Sequence, residues 1–388
     1  MGMDKQNSSE SKKSGRRLKI ANVVLSLNLG GAEQLVVKMS HALASEFDIS
    51  VVCLDEPGLW ASRLRKQGIP VHCLWRQPGL DFRVAKKLAD YTRENKIDII
   101  HAHQYSPWFY AALSRLLNKT SRLVFEEHGR LYPEVKSGKK NVFNHIVLQP
   151  LTHRIVAVSK DIGQRLIVYE GVSPKRIEVI YNGSNPSRRL DTQEISELRK
   201  GFGFQSDDFV IGTVGRFDSI KNLPMLVEAI SRAREHDRGV KGLFVGDGPE
   251  FQNITQKIRE LSLADVIRLP GYRSDAAQIV QCCDLFSLCS LSEGTSMALL
   301  DAMAGSVPVV VTEVGGNPEI VQAGVSGWVI PSRDTAQLTS AILETAGNPD
   351  KAKQFAAAAK RRFEERFTFD RMISEFRRVY REMMNGDW

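Results

Sequence analysis

Two basic side chains, five residues apart, follow a predicted strand in the second half of the chain. Arg216 and Lys221 lie in the segment GRFDSIK, directly after the apolar run 209–214. Parallel sheets bind ligands at the carboxyl ends of their strands. A guanidinium fork and an ammonium point charge can together neutralise a diphosphate leaving group. The alternative is a pair of solvated cations on an exposed loop.

A second segment combines two acids with a predicted helix N-terminus. In LSEGTSMALLDAMAG, Glu293 lies in a glycine-containing loop and Asp301 follows inside the helix. Unpaired N–H groups of a first helical turn bind phosphate, and carboxylates bind sugar or ribose hydroxyls. We therefore predict a donor-binding loop that also includes Gly294, Thr295, Ser296 and Met297. The alternative is a capped helix carrying a surface acid.

A pair of glycines separates the first predicted strand from the first predicted helix. Gly30 and Gly31 would let the backbone approach a ligand closely, in front of a helix N-terminus that favours anions. The segment is not GxGxxG, and the chain has no GxxxxGK[ST] motif, so neither a dinucleotide fold nor a P-loop enzyme is indicated. A tight turn without a ligand is the alternative.

Three histidines lie at or just past the carboxyl ends of predicted strands. His101 and His103 alternate on one strand and so share a face, and His128 lies just past the next strand. A His-x-His pair can bind a metal ion, but no third ligand has a clear spacing, so we predict no metal site. Each of the three could also be a structural histidine.

Short apolar strands alternate with amphipathic helices almost throughout the chain, which is typical of doubly wound α/β domains. Two such Rossmann-like domains would face a central cleft. We predict a disordered basic tail over 1–17, an N-terminal domain over 18–185, and a linker over 186–208 that is rich in turn residues and charge. A C-terminal domain over 209–367 and a final helical segment over 368–388 follow.

Composition limits the class of protein. The 388 residues are 42% hydrophobic and 25% charged, as in a soluble globular protein. No apolar run approaches the length of a membrane span, and the polar N-terminus does not resemble a secretory signal. The five cysteines have no zinc-binding spacing and are expected to be reduced, which indicates the cytosol.

Positive charge is concentrated in the first half of the chain. Residues 1–190 hold 30 basic and 17 acidic side chains, within a net charge of +8 for the whole chain. Such a surface favours an anionic partner, either phosphate, a lipid headgroup or nucleic acid. A solvated basic face is the alternative.

Together these segments resemble the family 4 glycosyltransferases, the retaining group with the GT-B fold, over nearly all of residues 18–385. The resemblance implies that the Gly-Gly loop faces the donor phosphate and that the Arg/Lys loop contacts the diphosphate. Glu293 would hold the hydroxyls of the donor sugar, and position 301 the ribose. The family usually has Glu at that position, and Asp301 reaches about 1.5 Å less, roughly one C–C bond.

The resemblance also assigns residues outside these loops. His128, in its FEEHGR setting, would lie beside the reacting centre. The segment Gly271, Tyr272 and Arg273 would lie near the donor base. His101, His103 and Arg130 are placed on the acceptor side, and the last helix would cross back onto the first domain.

The function expected from this resemblance is retaining transfer of a sugar from a nucleotide-diphosphate sugar, without metal or cofactor. The acceptor would be a sugar, a lipid-linked or a phosphate-bearing molecule of polysaccharide, lipopolysaccharide or glycolipid assembly. The enzyme would be cytoplasmic or peripheral on the inner face of an anionic membrane, and would not bind nucleic acid. A sugar-nucleotide epimerase, a phosphorylase and a non-catalytic sugar- or nucleotide-binding protein remain alternatives.

Overall fold

A computed structural model describes residues 16–28, 30–129 and 134–386. Of the tail predicted over 1–17, all but the last two residues lie outside the described part. The described chain forms two parallel sheets covered by helices, so the predicted pair of Rossmann-like domains is confirmed. In the described part, none of the helices is both long and apolar enough to cross a membrane.

The first sheet has seven strands in the order β3-β2-β1-β4-β5-β6-β7. Its strands are β1 Lys19–Val24, β2 Asp48–Cys53, β3 Val71–Cys73, β4 Ile99–His103, β5 Arg122–Glu127, β6 Arg154–Ala157 and β7 Ile177–Val179. The helices of this half are α1 Gly31–Leu43, α2 Ala61–Lys66, α3 Arg83–Glu94, α4 Tyr105–Leu117, α5 Gly138–Phe143 and α6 Lys160–Glu170. A π-helical turn, Asn144–Leu148, continues α5.

The second sheet has six strands in the order β10-β9-β8-β11-β12-β13. Its strands are β8 Phe209–Val214, β9 Val240–Val245, β10 Ile267–Gly271, β11 Leu285–Leu288, β12 Val309–Thr312 and β13 Trp328–Ile330. The remaining helices are α7 Thr192–Gly201, α8 Leu223–Ala233, α9 Phe251–Glu260, α10 Ala276–Ile279, α11 Met297–Ala304, α12 Asn317–Ile320, α13 Thr335–Gly347, α14 Pro349–Arg366 and α15 Phe369–Asn385.

The order of strands determines where ligands can bind. In the first sheet the connection reverses direction between β1 and β4, and in the second between β8 and β11. A crevice opens outside the carboxyl ends of the strands at such a reversal, because the two loops leave toward opposite faces of the sheet. The loops after β1, β8 and β11 carry the Gly-Gly pair, the Arg/Lys pair and the first acid, and the last residues of β4 carry the His-x-His pair.

The central strands are apolar on both faces because helices cover both sides of each sheet. Ile20 and Val51 point into a core shared with α1, whereas Ala21 and Val52 point into a core shared with α3 and α4. The near-continuous apolar runs that predicted these strands therefore reflect burial on two sides.

The segment predicted as a linker contains an ordered helix, α7. Asp191 accepts a hydrogen bond from the backbone N–H of Glu194, and the Glu194 side chain accepts one from the backbone N–H of Asp191. This capping box satisfies two donors at the start of the helix. The helix was not predicted because the residues around α7 are rich in turn formers and charge, which is typical of a linker.

The last helix, α15, packs on the first domain. Its apolar residues Phe376, Tyr380 and Met383 belong to the same buried core as Ile20 and Leu35 of that domain. The chain crosses between domains where the backbone of Ser184 pairs with the chain on both sides of Thr368. These contacts attach the final helix to the first domain.

We predict that Gly183→Ala destabilises this crossing. A Cβ on Gly183 would lie 2.3 Å from the carbonyl oxygen of Thr368, which is backbone and cannot move aside cheaply. The expected loss is about 1–3 kcal/mol of unfolding free energy, as for other overpacked sites. Chemical denaturation measures it.

Gly347→Ala is the matched control, because a Cβ there meets no atom within 4 Å. Equal stability of the two variants would contradict the close packing at Gly183.

Candidate active site

Lys221 and Glu293 meet in the crevice of the second sheet. The Lys221 Nζ lies 2.5 Å from the Glu293 Oε1, although the two residues are far apart in sequence. The loops that carry them follow the neighbouring strands β8 and β11, and a backbone hydrogen bond from Leu291 to Ile220 joins the two loops. The hydroxyl of Ser290 donates to the same oxygen of Glu293. The sequence-predicted cation and acid are thus brought together.

Arg216 lies on the same loop with its side chain 64% exposed, and its nearest ion-pair contact is Asp218 at 3.8 Å. Such a long, solvated contact contributes little energy. The guanidinium can therefore turn toward an anion in the crevice at small cost. Lys221 is only 22% exposed and is held by Glu293.

The loop that carries Glu293 is wedged against the first domain. A Cβ on Gly294 would lie 2.2 Å from the His128 carbonyl oxygen, so a side chain is excluded at this position. The Thr295 hydroxyl donates to the carbonyl of Val158 at 2.7 Å. Ser296 caps helix α11 by accepting from the backbone of Leu299. Met297 is the first residue of that helix.

Asp301 lies on α11, at the crossing between the domains rather than at the tip of the loop. Its Oδ1 accepts a hydrogen bond from the Ser184 hydroxyl at 2.5 Å. Burial raises the pKa of Asp301, while the Ser184 hydrogen bond and the charge of Lys38 oppose that rise. The carboxylate that the resemblance assigns to the ribose already has a partner within the chain.

The three histidines form one buried cluster with Glu126. The Glu126 Oε2 lies 3.1 Å from His101 Nε2, 3.2 Å from His103 Nδ1 and 3.6 Å from His128 Nε2. His103 Nδ1 is also hydrogen-bonded to His128 Nε2 at 2.9 Å. The Tyr380 hydroxyl of α15 contacts His101 Nδ1 at 2.7 Å.

This cluster adds a third potential metal ligand beside His101 and His103, for which the sequence had no clear spacing. Glu126 pairs with His103 in the register of β4 and β5, and ligand atoms of the three lie within 4.8 Å of one another. Sequence spacing could not show this because the third group comes from a neighbouring strand. The bond between His103 Nδ1 and His128, however, already occupies one of the atoms that a metal ion would need.

The Gly-Gly loop opens helix α1, with Gly30 at its N-cap and Gly31 as its first residue. A Cβ on Gly30 would lie 2.0 Å from the carboxylate oxygen of Glu33. Glu33 thus stands next to the loop that we expected to face phosphate. Burial lowers the pKa of His128, and the charge of Glu33 opposes that lowering. No sequence motif indicated a role for Glu33, although it is the acid in the first turn of the helix.

Gly271, Tyr272 and Arg273 lie at the end of the edge strand β10. Tyr272 is 53% exposed, and Arg273 forms an ion pair with Asp275 at 2.8 Å. The backbone of Gly246 donates to the Gly271 carbonyl, which ties this segment to the loop after β9. Arg130 lies outside the described residues.

Glu319 connects the two domains and was missed in the sequence. Its carboxylate on α12 accepts hydrogen bonds from the backbone N–H groups of Lys160 and Asp161, both at 2.9 Å. These groups open helix α6 of the first domain, where negative charge is favourable. The Tyr181 hydroxyl donates to the same carboxylate at 2.8 Å. One feature of the sequence indicates a role for Glu319: it lies two residues after a Gly-Gly-Asn segment that follows a predicted strand.

Comparison with known proteins agrees with this architecture. The family described as "Glycosyltransferase Family 4" matches residues 29–188, and that described as "Glycosyl transferases group 1" matches residues 194–362. Between them the two matches cover every strand of the two sheets except β1. The chain belongs to the family 4 glycosyltransferases, and it is a glycosyltransferase with the GT-B fold.

Individual relatives are distant in sequence. The chain is 25% identical to N-acetyl-alpha-D-glucosaminyl L-malate synthase of Bacillus anthracis, over 81% of this chain and 83% of that protein. It is also 25% identical to UDP-Gal:alpha-D-GlcNAc-diphosphoundecaprenol alpha-1,3-galactosyltransferase of Escherichia coli, over 84% and 87% of the two chains.

Among solved structures, a glycosyltransferase from Rickettsia africae matches with a TM-score of 0.85 at 21% identity, covering 95% of this chain and 99% of its own. Anabaena Alr3699/HepE, in complex with UDP and glucose, matches with a TM-score of 0.83 at 23% identity, covering 94% and 100%. Both similarities concern the fold.

We predict that Glu319→Gln loosens the contact between the domains. The variant keeps the size of the side chain but removes its charge from the start of α6. Loss of charge-assisted hydrogen bonds should cost about 1–3 kcal/mol. Denaturation reports the loss, and small-angle X-ray scattering should show a larger radius of gyration.

Glu313→Gln is the control, because Glu313 is an exposed acid of the same segment. A Glu319→Gln protein with unchanged stability and radius would show that this bridge contributes nothing to the domain arrangement.

Proposed function

We propose that this glycosyltransferase moves a sugar from a nucleotide-diphosphate sugar to an acceptor, with retention and without a metal ion. The observation that carries the proposal is the contact between Lys221 and Glu293, beside the exposed Arg216. A site for a sugar diphosphate needs cations for the phosphates and an acid for the sugar hydroxyls within one crevice. Two adjacent loops of the second sheet supply both.

Charge builds up on the diphosphate as the bond to the anomeric carbon breaks. Arg216, Lys221 and the first turn of α11 would stabilise that charge at fixed positions, which is where electrostatic catalysis is most effective. They would take the part that a divalent cation takes in other enzymes. We assign no covalent nucleophile: the acceptor would attack on the face that the diphosphate leaves.

An acceptor linked to lipid fits both the charge distribution and the relatives. The Escherichia coli relative is named for a diphosphoundecaprenol acceptor, and so is one from Campylobacter jejuni that is 26% identical. The excess of basic residues over 1–190 would attract an anionic membrane surface. We propose a cytoplasmic enzyme, peripheral to the membrane, in the assembly of an envelope glycan.

Epimerases and phosphorylases with the same fold differ from a transferase in that they do not require a glycosyl acceptor to turn over a nucleotide sugar. Turnover of a nucleotide sugar that strictly requires a glycosyl acceptor excludes both, and any turnover excludes a non-catalytic binding protein. The donor itself is found by measuring melting temperatures with a panel of nucleotide sugars, because a ligand that binds only the folded state raises its stability.

We predict that Arg216→Ala and Lys221→Ala each reduce kcat about 100-fold, by removing a partner of the developing charge. Assays in the presence of EDTA should retain full wild-type activity. Arg361→Ala and Lys353→Ala remove exposed cations of the same domain and serve as controls.

Near-normal rates in both loop variants, with the fold intact, would contradict the diphosphate assignment. Loss of wild-type activity in EDTA, restored by Mg²⁺, would contradict metal independence.

We predict that Asp301→Asn raises the donor KM about tenfold and changes kcat less, because a ribose contact differs little between ground and transition states. Glu293→Gln should do the opposite and mainly lower kcat. Asp301→Glu should be tolerated, since it restores the reach usual in the family.

Ser184→Ala separates the ribose role from a structural one. It removes the hydroxyl that Asp301 holds but leaves the carboxylate in place. If Asp301 only supports the domain crossing, Asp301→Asn and Ser184→Ala will both lower the melting temperature and leave the donor KM unchanged. That result would remove Asp301 from the donor site.

A further inference from the structure

Gln104 has a backbone conformation that is almost exclusive to glycine. Its φ is 74° and its ψ is 170°, at the junction between β4 and α4. Another described residue with positive φ is Asn222, whose φ of 49° and ψ of 41° lie in the left-handed helical region. Residues with a Cβ tolerate that region far better than the one that Gln104 occupies. The chain therefore keeps a side chain where glycine would fit without strain.

Hydrogen bonds on both sides of Gln104 hold it in this conformation. Its backbone N–H donates to the carbonyl of Glu126 on β5 at 2.8 Å, and its own carbonyl accepts from the N–H of Trp108 on α4 at 3.1 Å. The Trp108 ring is fully buried and stacks on Phe125, with ring centroids 4.2 Å apart. A strained residue persists where its surroundings fix it in this way, and such residues cluster at functional sites.

The side chain of Gln104 forms no hydrogen bond that would explain why glutamine stands here. It does not cap α4, although the residue occupies the N-cap position. Its amide has no hydrogen-bond partner among the residues that the structure describes, and the residue is partly exposed. An amide offers two N–H donors and a carbonyl acceptor. All of them remain available to a molecule that enters the crevice.

Gln104 lies where the order of strands reverses in the first sheet, beside groups that face the second domain. It follows His103, whose Nδ1 is 2.9 Å from His128 Nε2. The carbonyl of His128 is so close to Gly294, in the loop that carries Glu293, that a Cβ there would lie 2.2 Å away. The carboxyl ends of β4 and β5 thus meet the loop of Glu293, and Gln104 stands at the first of them.

The two histidines that were expected on the acceptor side are less accessible than Gln104. His101 is 0% exposed and His103 is 2% exposed. The Nδ1 of His101 contacts the Tyr380 hydroxyl at 2.7 Å, and the Nε2 of His103 faces Asn22 Oδ1 at 3.3 Å. Gln104 is the next residue along the chain, and it is both partly exposed and unpaired. Of these three side chains, it is the one that a substrate can reach.

We propose that Gln104 is a specificity-determining residue for the acceptor, whose side-chain amide hydrogen-bonds an acceptor oxygen near the hydroxyl that attacks the donor sugar. This proposal rests on the proposed function for the class of acceptor. Lys221 and Glu293 of the second domain serve the donor in that function, so the acceptor belongs to the loops of the first. The hydroxyls of a sugar and the oxygens of a diphosphate both suit an amide, because it donates as well as accepts.

The first test measures the strain and needs no substrate. Gln104→Gly should raise the melting temperature by about 2–4 °C, since glycine adopts this backbone conformation freely. Gln104→Ala keeps the Cβ and the strain but loses the amide, so it should be no more stable than the wild type. A variant that is more stable and yet loses function cannot owe that loss to unfolding.

The second test measures how the acceptor is used, with the donor found in the panel of nucleotide sugars. The probes are N-acetylglucosaminyl diphosphate with a farnesyl chain, and methyl N-acetylglucosaminide, which has no diphosphate. Gln104→Gly and Gln104→Ala should each raise the acceptor KM about tenfold, the effect of one lost hydrogen bond, and leave the donor KM unchanged. A rise with both probes assigns the amide to a sugar oxygen, and a rise with the farnesyl probe alone assigns it to the diphosphate.

Lys96→Gly is the matched control. Lys96 also has a positive φ, of 54°, but it lies just before β4, at the opposite end of the strand that Gln104 follows. This variant should keep the wild-type KM for donor and acceptor. Gln104→Asn should have a lower acceptor KM than Gln104→Ala, because it retains the amide.

Three results would overturn the proposal: an unchanged acceptor KM in both Gln104→Gly and Gln104→Ala, a donor KM that rises as much as the acceptor KM, or a Gln104→Gly protein less stable than the wild type. A wild type that transfers no sugar, but whose melting temperature the farnesyl probe raises, tests the two proposals separately. Loss of that rise in Gln104→Ala would overturn the proposed function and support the role of Gln104, and persistence of the rise would overturn both.

Discussion

The approach of the Gly294 backbone to the His128 carbonyl sets the geometry of the whole site. One residue belongs to the loop after β11 of the second sheet, and the other follows β5 of the first. No side chain fits between them, since a Cβ on Gly294 would be 2.2 Å from the carbonyl oxygen. Glu293 is therefore held close to the histidine cluster of the other domain, and groups from both sheets can contact one small substrate.

Three other contacts between the domains help to hold the Gly294 backbone against the His128 carbonyl. Glu319 binds the N-terminus of α6, Asp301 binds Ser184 at the crossing, and Tyr380 of α15 binds His101. All three are polar contacts, and each joins a side chain in one half of the chain to a residue in the other half. Interfaces of this kind permit relative movement of domains more readily than large apolar ones do.

The fold and the loops of the site could be predicted from the sequence because both depend on local patterns. Helix α3, for example, has a clear helical period, and strand β9 is a short, mostly apolar run. What could not be predicted depends on pairing across the fold. Glu126 joins the histidines through the register of β4 and β5, and Glu319 reaches a helix in the other domain. No spacing along the chain encodes either contact.

The ion pair between Lys221 and Glu293 suggests why the donor has to carry both charge and sugar in the proposed function. Without a ligand, each side chain satisfies the other at 2.5 Å. A free sugar would have to separate this pair and leave a partly buried ammonium without a counter-ion, which is costly. A sugar diphosphate supplies that counter-ion and releases the carboxylate for its hydroxyls in the same exchange. Specificity for a charged donor then follows from the pair itself, before any contact with the base is considered.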